Sequence, residues 1–270
     1  MYLSREEEGI SQGKRGETLQ RMMGILVALG EIYGAERLVP VRSVQIAGVS
    51  YKNIGDAGLE WISDLTGHVV VPSILNPAGM DLCLWQKMGI SEEFAGRQKD
   101  VIKAYERLGI SLDCTCTPYQ IYPQLACRGD HLAWSESSAV SYANSVIGAR
   151  TNREGGPSAL AAALIGKTPL YGYHLDECRM PTHLITLDAD LKGSDYGALG
   201  FLAGRIVSDG VPLFRLAAKP SKDELKALGA SLAASGSVAL YYVEDVTPDP
   251  PGTVEPEDRL RRSSGQGGRR

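Results

Sequence analysis

Residues 38–71 read LVPVRSVQIAGVSYKNIGDAGLEWISDLTGHVVV, and their alternation decides the fold. Leu38-Val39-Pro40-Val41, Val44-Gln45-Ile46 and Val69-Val70-Val71 are short apolar runs of the kind that fill buried strands. Asp56 to Leu65, between the last two, has helical spacing. Strand, helix, strand in this order predicts parallel pairing, because a parallel connection needs a long crossover and a helix supplies it.

The pattern extends in both directions. Ser4 followed by Glu7 predicts a capping box, and Glu17 to Tyr33 places Leu19, Met22, Met23, Ile25, Leu26, Leu29 and Ile32 on one apolar stripe. Phe94 to Leu108 predicts a helix, Ile110-Ser111-Leu112 a strand, and Cys114 to Pro118 the loop after it. Helices follow at Pro157–Ile165, Tyr196–Val207 and Lys222–Ala234, with strands at Thr182–Leu187 and Ser237–Val243. The expectation is a multi-lobed α/β fold with mostly parallel sheets, whose ligands sit beyond the carboxyl ends of the strands.

Trp134 to Gly156 packs hydroxyls, amides and arginines more densely than a surface loop requires. Ala139, Val140, Ala143, Val146 and Ile147 recur at helical spacing, so a buried helix with polar ends is expected. Ser135, Ser137 and Ser138 can cap its start and leave N–H groups for an anion, while Gly148 and Gly155-Gly156 release the chain into loops. A capped core helix followed by a polar turn would account for the same residues.

Composition narrows the classes. The 270 residues are 43% hydrophobic and 22% charged, enough for one sizeable core or two modest lobes. A formal charge of −4, with 32 acidic residues, argues against nucleic acid as the main partner. No apolar run reaches the length of a membrane span and the N-terminus has no signal-peptide pattern, so no membrane partner and a cytoplasmic location are expected. Five cysteines, an odd number, fit free thiols or metal ligands better than a disulfide framework. No Gly-x-Ser-x-Gly elbow or Walker loop is present.

Four motifs lie in order along the chain: Val49-Ser50-Tyr51-Lys52-Asn53-Ile54-Gly55-Asp56-Ala57-Gly58, Leu75-Asn76-Pro77-Ala78-Gly79-Met80-Asp81, Thr115-Cys116-Thr117-Pro118-Tyr119, and the Trp134–Gly156 segment. Together they resemble the aconitase X family, over roughly residues 1 to 247. The resemblance implies an iron–sulfur hydro-lyase that removes water from a hydroxy acid, here a phosphorylated one, mevalonate 5-phosphate in isoprenoid synthesis. cis-3-Hydroxyproline is the alternative substrate, and a non-catalytic scaffold the alternative role. It further implies a small partner subunit that supplies a serine base, so no catalytic base is assigned to this chain.

Cys116 matches the family motif, and the resemblance makes it a ligand of a 4Fe–4S cluster whose open iron would act as a Lewis acid. The remaining cysteine ligands are expected outside the sequence given. Cys83 and Cys114 suit buried thiols, and Cys127 and Cys178 form no ordered metal pattern with His131 and His174. For the organic part of the substrate the candidates are Ser50, Lys52, Asn53, Asn76, Ser137, Ser138, Asn144, Arg150, Asn152 and Arg153. Lys52 can equally be a solvated lysine, Asn76 and Asp81 can serve only their turn, and Arg150 or Arg153 can bridge two lobes. From Thr247 the chain turns rich in Pro, Gly and Arg, which predicts a catalytic region over 1–246 that is C-terminally truncated or frame-shifted, and a disordered tail over 247–270.

Overall fold

A computed structural model describes residues 1–251. Helix α1 (Arg5–Ser11) begins at the expected capping box: Glu7 N–H donates to Ser4 Oγ and Ser4 N–H to the Glu7 carboxylate. Glu7 also takes a 2.6 Å ion pair from Lys167, tying the N-terminus to the far side of the first lobe. Helix α2 (Glu17–Ile32) buries Met22, Met23 and Leu26 completely. Ile32, expected on that stripe, is 76% exposed, because the helix ends there.

Strands β1 (Leu38–Pro40) and β2 (Val44–Ile46) lead into α3 (Tyr51–Ser63), which is interrupted at Gly55 (φ 61°, ψ −165°). The helix expected from Asp56 is thus preceded by one extra turn carrying Lys52 and Asn53. Val69–Val71 is not a strand. Its backbone crosses other elements instead: Val69 N–H donates to Leu108 O and Val70 N–H to Ala163 O. The ladder begins one step later, where Val44 N–H reaches Pro72 O, and continues as β3 (Ser73–Leu75). Helix α4 (Glu92–Arg107) packs on α3. The strand expected at Ile110–Leu112 shrinks to a single bridge, Ser111 with Ile74, because Leu112 O is already taken by Cys114 N–H.

The short helix α5 (Pro118–Ile121) precedes β4 (Ala133–Trp134), and α6 (Ser137–Tyr142) continues into a π-helical turn over Ala143–Ile147. β2 pairs in parallel with β3 on one side and β4 on the other. Helix α7 (Gly156–Ile165) packs on α2 and β2, and β5 (Lys167–Pro169) pairs antiparallel with β1 as a separate ribbon.

The second lobe holds β6 (His183–Leu187), α8 (Asp195–Val207), β7 (Pro212–Leu216), α9 (Lys222–Gly236) and β8 (Tyr242–Val243), with parallel strands in the order β6-β7-β8. Strand β7 is not among the strands expected from the apolar pattern. The strand expected at Ser237–Val243 contracts to two residues because Ala239 O and Tyr241 N–H are claimed by the Asn144 and Ser145 side chains of the first lobe. The chain remains packed beyond the expected boundary at 246. Thr247 Oγ1 bonds Val243 N and O, and Pro248 lies close to Gly148. The expected tail from 252 onward lies outside the described residues.

Helices α8 and α9 approach closely through small residues. Ser231 Oγ donates to Gly197 O at 2.7 Å and Ser235 Oγ to Gly200 O at 3.2 Å. A Cβ on Gly200 would meet Leu228 O at 2.6 Å and Ser231 Cβ at 2.8 Å. Backbone on one side and a packed helix on the other leave no room to relax. Gly200→Ala is therefore expected to lower stability by about 1–3 kcal/mol, measured as a shift in urea midpoint.

Candidate functional site at the carboxyl edge of the first sheet

Parallel pairing puts every strand exit of the first sheet on one edge. The exits after Ile46, Leu75 and Trp134 lie in register, and Thr115 joins them because its N–H donates to Leu75 O at 3.0 Å. Gln45, at the centre of β2 and fully buried, ties these exits together. Its Nε2 donates to Thr115 O at 2.9 Å and its Oε1 accepts from Glu136 N–H at 3.1 Å. Its carbonyl accepts from Ser135 Oγ at 2.8 Å. The turn bearing Cys116 and the start of α6 are thereby fixed to the same residue.

Gln98 does the same for the other two turns. Projecting from α4 and fully buried, it accepts from Tyr51 N–H (3.0 Å) and Gly79 N–H (3.2 Å) and donates to Val49 O (2.7 Å). Ser50 and the Pro77-Ala78-Gly79 turn are thus clasped so tightly that a Cβ on Gly79 would reach Gln98 Oε1 at 2.7 Å. Gly156 makes a similar approach, since its Cβ would lie 2.7 Å from Ala47 O. One glycine from each of two motifs is thus required by chain contacts around this edge. No short motif pointed to Gln45 or Gln98; a buried glutamine in an apolar strand or helix face was the available signal.

At this edge Cys116 is exposed, Ser50 half-buried, and Asn76 carries a buried side-chain oxygen without a partner. Thr117 N–H donates to Thr115 Oγ1 at 3.0 Å, shaping the turn around Cys116. The start of α6 differs from the expected serine cap with free N–H groups. Glu136 is the cap, accepting from Ala139 N–H (2.7 Å), Ser138 Oγ (2.5 Å) and Ser137 Oγ (3.3 Å). A fixed carboxylate thus occupies the place foreseen for an anion, and both serine hydroxyls are turned toward it. Asp81 serves its turn: N–H groups of Leu84 and Cys83 hold its carboxyl below the usual range. Burial pushes the half-buried Cys114 thiol up.

Lys52 and Asn53 follow Ser50 along the same edge, and the other candidates lie apart from it. Lys52 and Asn53 are exposed in the turn before Gly55. Asn144 is buried with its groups engaged: Nδ2 donates to Thr151 O and Ala239 O, while Oδ1 accepts from Thr151 N–H and Arg179. Asn152 Nδ2 donates to Tyr171 O, and its Oδ1 accepts from Tyr173 N–H. Arg150 lies at the amino end of the sheet, beside the His131 bridge, donating to His174 O and pairing with Asp176. Arg153 is exposed. Asn144 ties the two lobes together through Ala239 O, whereas Arg150 and Asn152 hold segments within the first lobe; the acidic partner of Arg150, Asp176, belongs to that lobe, so Arg150 makes no bridge between lobes.

The family model for the aconitase X first domain matches residues 1–177 and that for the second domain residues 181–264. The chain belongs to the aconitase X family. It is 64% identical over 249 residues to the phosphomevalonate dehydratase large subunit of Methanosarcina mazei, an alignment covering 92% of this chain and 63% of that protein. Identity is 34% to the cis-3-hydroxy-L-proline dehydratase of Pseudomonas aeruginosa, over 91% of this chain and 43% of the relative. The crystal structure of Thermococcus kodakaraensis aconitase X in its holo-form superposes with a TM-score of 0.85 at 48% identity, covering 99% of this chain and 70% of that one. The chain thus spans about 63% of the length of the first relative, and the α/β fold is that of aconitase X.

Among the described residues, no group of three His, Cys, Asp or Glu side chains is placed to hold a metal ion. The described residues therefore do not by themselves complete a site for an iron–sulfur cluster. No helix among them is long and apolar enough to cross a membrane.

Gln98→Leu removes three hydrogen bonds and strands three backbone groups, so a loss of about 2–4 kcal/mol is expected. Faster amide exchange at Tyr51 and Gly79 would locate that loss at the edge. His131 and His174 share a 2.9 Å contact between Nδ1 atoms, with Arg37, Arg150, Arg179 and Asp130 around them. Burial first, then His131 and the arginines, lowers the His174 pKa to about 3, and burial also lowers His131. The unfolded chain takes up these protons below about pH 6.5 and the folded chain does not, so stability falls with pH, by at most about 1.4 kcal/mol per unit per histidine. His174→Phe is expected to flatten that slope between pH 6.5 and 4, read from urea midpoints.

Proposed function

We propose that this chain provides the aconitase X region of a phosphomevalonate dehydratase large subunit, acting with a small subunit in the cytoplasm to remove water from mevalonate 5-phosphate in isoprenoid synthesis. The observation that carries this reading is the convergence of the four motif turns at one sheet edge, locked by Gln45 and Gln98. The relative named for phosphomevalonate is 64% identical, against 34% for the one named for cis-3-hydroxy-L-proline, which favours the phosphorylated substrate.

Dehydration must expel hydroxide from one carbon while the next gives up a proton, and an iron–sulfur cluster, when bound, supplies the Lewis acid for the first task. This chain's part is placement. Cys116 would contribute one cluster thiolate from the turn held by Gln45. Ser50, Asn76 and the exposed Lys52 lie on turns bordering the same edge, where Ser50 and Lys52 would meet the polar groups of the substrate. Ser137 and Ser138, committed to Glu136, would hold that carboxylate in place, and the proton is taken by a group of the small subunit.

The test is anaerobic reconstitution of the chain with its small-subunit partner. We expect consumption of mevalonate 5-phosphate and not of cis-3-hydroxyproline, and Cys116→Ala is expected to abolish turnover and lower bound iron while leaving the urea midpoint within about 0.5 kcal/mol. Full iron loading and undiminished turnover in Cys116→Ala would refute the ligand role. Turnover of cis-3-hydroxyproline alone would replace the substrate.

A further inference from the structure

The sheet of the second lobe runs in the order β6-β7-β8, and the segment leading into β8 is the part tied to the first lobe through Asn144 and Ser145. Strand β6 is therefore the outermost, and among the described residues no ladder forms on its free edge. A free edge is normally protected by a lysine, a proline or a bulge. His183-Leu184-Ile185-Thr186-Leu187 carries neither lysine nor proline, and its register with β7 is unbroken over all five residues.

The helix above that strand is also uncovered on its outer side. Ala203 and Val207 of α8 and Leu228 and Leu232 of α9 pack with Ile185 and Phe214 in one core, so both helices lie on the same face of the sheet. Helix α9 sits on the inner side, against α6, and takes the glycine row of α8, Gly200 and Gly204 included. At 3.6 residues per turn, Leu202 and Ile206 stand roughly half a turn from that row, on the flank opposite α9. They are 61% and 75% exposed. The only charged residues of α8 are Asp195 and Arg205. A helix apolar on nearly every side belongs in an interior.

We propose that the free edge of β6 and the Leu202–Ile206 flank of α8 form one docking surface for a further strand-and-helix unit, supplied by the portion of the longer aconitase X large subunits that this chain does not share. The inference goes beyond the dehydratase reading and is tested without turnover. One more parallel strand on β6, with its helix against Leu202 and Ile206, repeats the β7–α9 pattern and covers both surfaces at once. The longer relatives have the polypeptide to supply it: the match spans 63% of the Methanosarcina mazei large subunit and 70% of the solved Thermococcus kodakaraensis chain, while 99% of this chain superposes on the latter. A second copy fits less well, since a two-fold axis would pair β6 antiparallel with itself in a sheet whose pairs are all parallel.

The test is co-expression of the full chain with the portion of the Methanosarcina mazei large subunit that lacks a counterpart here, followed by affinity capture. We expect a one-to-one complex, slower amide exchange over 183–187 and 198–206 than in the free chain, and at least about tenfold weaker capture by Leu202→Glu/Ile206→Glu. Both side chains are exposed in the free chain, so its urea midpoint should not change with the double substitution. No complex, or capture and exchange that the double substitution leaves unaltered, would overturn the proposal. So would a dimer of the chain alone, or a complex with the small subunit, that the same substitutions dissolve, because the surface would then have another occupant.

Discussion

The arrangement of the first lobe depends on burying an amide in an apolar sheet. Gln45 occupies the middle of the central strand, where an unpaired amide would be costly, and the chain satisfies it with Thr115 O and Glu136 N–H. Those partners are 70 and 91 residues away in sequence, so the demand of one side chain fixes two distant turns relative to each other. Gln98 extends the same logic from helix to turn. Its three bonds are all to backbone, and no change of rotamer in a neighbouring side chain can replace them. Preorganisation of this edge is thus a consequence of polar satisfaction in the core.

The seam between lobes obeys the same rule with different residues. Asn144 and Ser145, in the π-helical turn after α6, reach Ala239 and Tyr241 of the second lobe. Arg179, itself buried, donates to Asn144 O and its own carbonyl accepts from Tyr242 Oη. These bonds explain why β8 is so short: backbone groups that could have lengthened the strand are spent on the neighbouring lobe. Alongside these bonds α6 and α9 pack directly on each other.

Much of this was legible in sequence, for identifiable reasons. Helices with long apolar stripes or caps, such as α2, α4 and α9, appear close to where their periodicity placed them. Strands were less legible, because in a three-residue strand the apolar run does not mark the ladder. Val69–Val71 is as apolar as any strand here, yet its neighbours at that height are α4 and α7, and pairing waits until Pro72 has passed. The motif turns were legible as polar, glycine-bearing segments following strands. Polar residues that serve packing and polar residues left free at an edge look alike in such segments, and the engaged side chains of Asn144, Arg150 and Asn152 were distinguishable from those of Ser50 and Cys116 only once their partners were visible.

Charge at the carboxyl edge has a further implication for what can bind there. A helix start ordinarily attracts anions, but at α6 the carboxylate of Glu136 is already seated on the Ala139 N–H with two serine hydroxyls around it. A phosphate or carboxylate approaching that end would meet negative charge rather than free donors. The first turn of α3 is different: Ser50 makes no side-chain cap there, and Lys52 stands exposed beside it. The edge is therefore polarised, acidic near α6 and basic near α3. On charge alone, an anionic group entering it would be favoured at the Ser50–Asn53 turn and a neutral one at the Glu136 side.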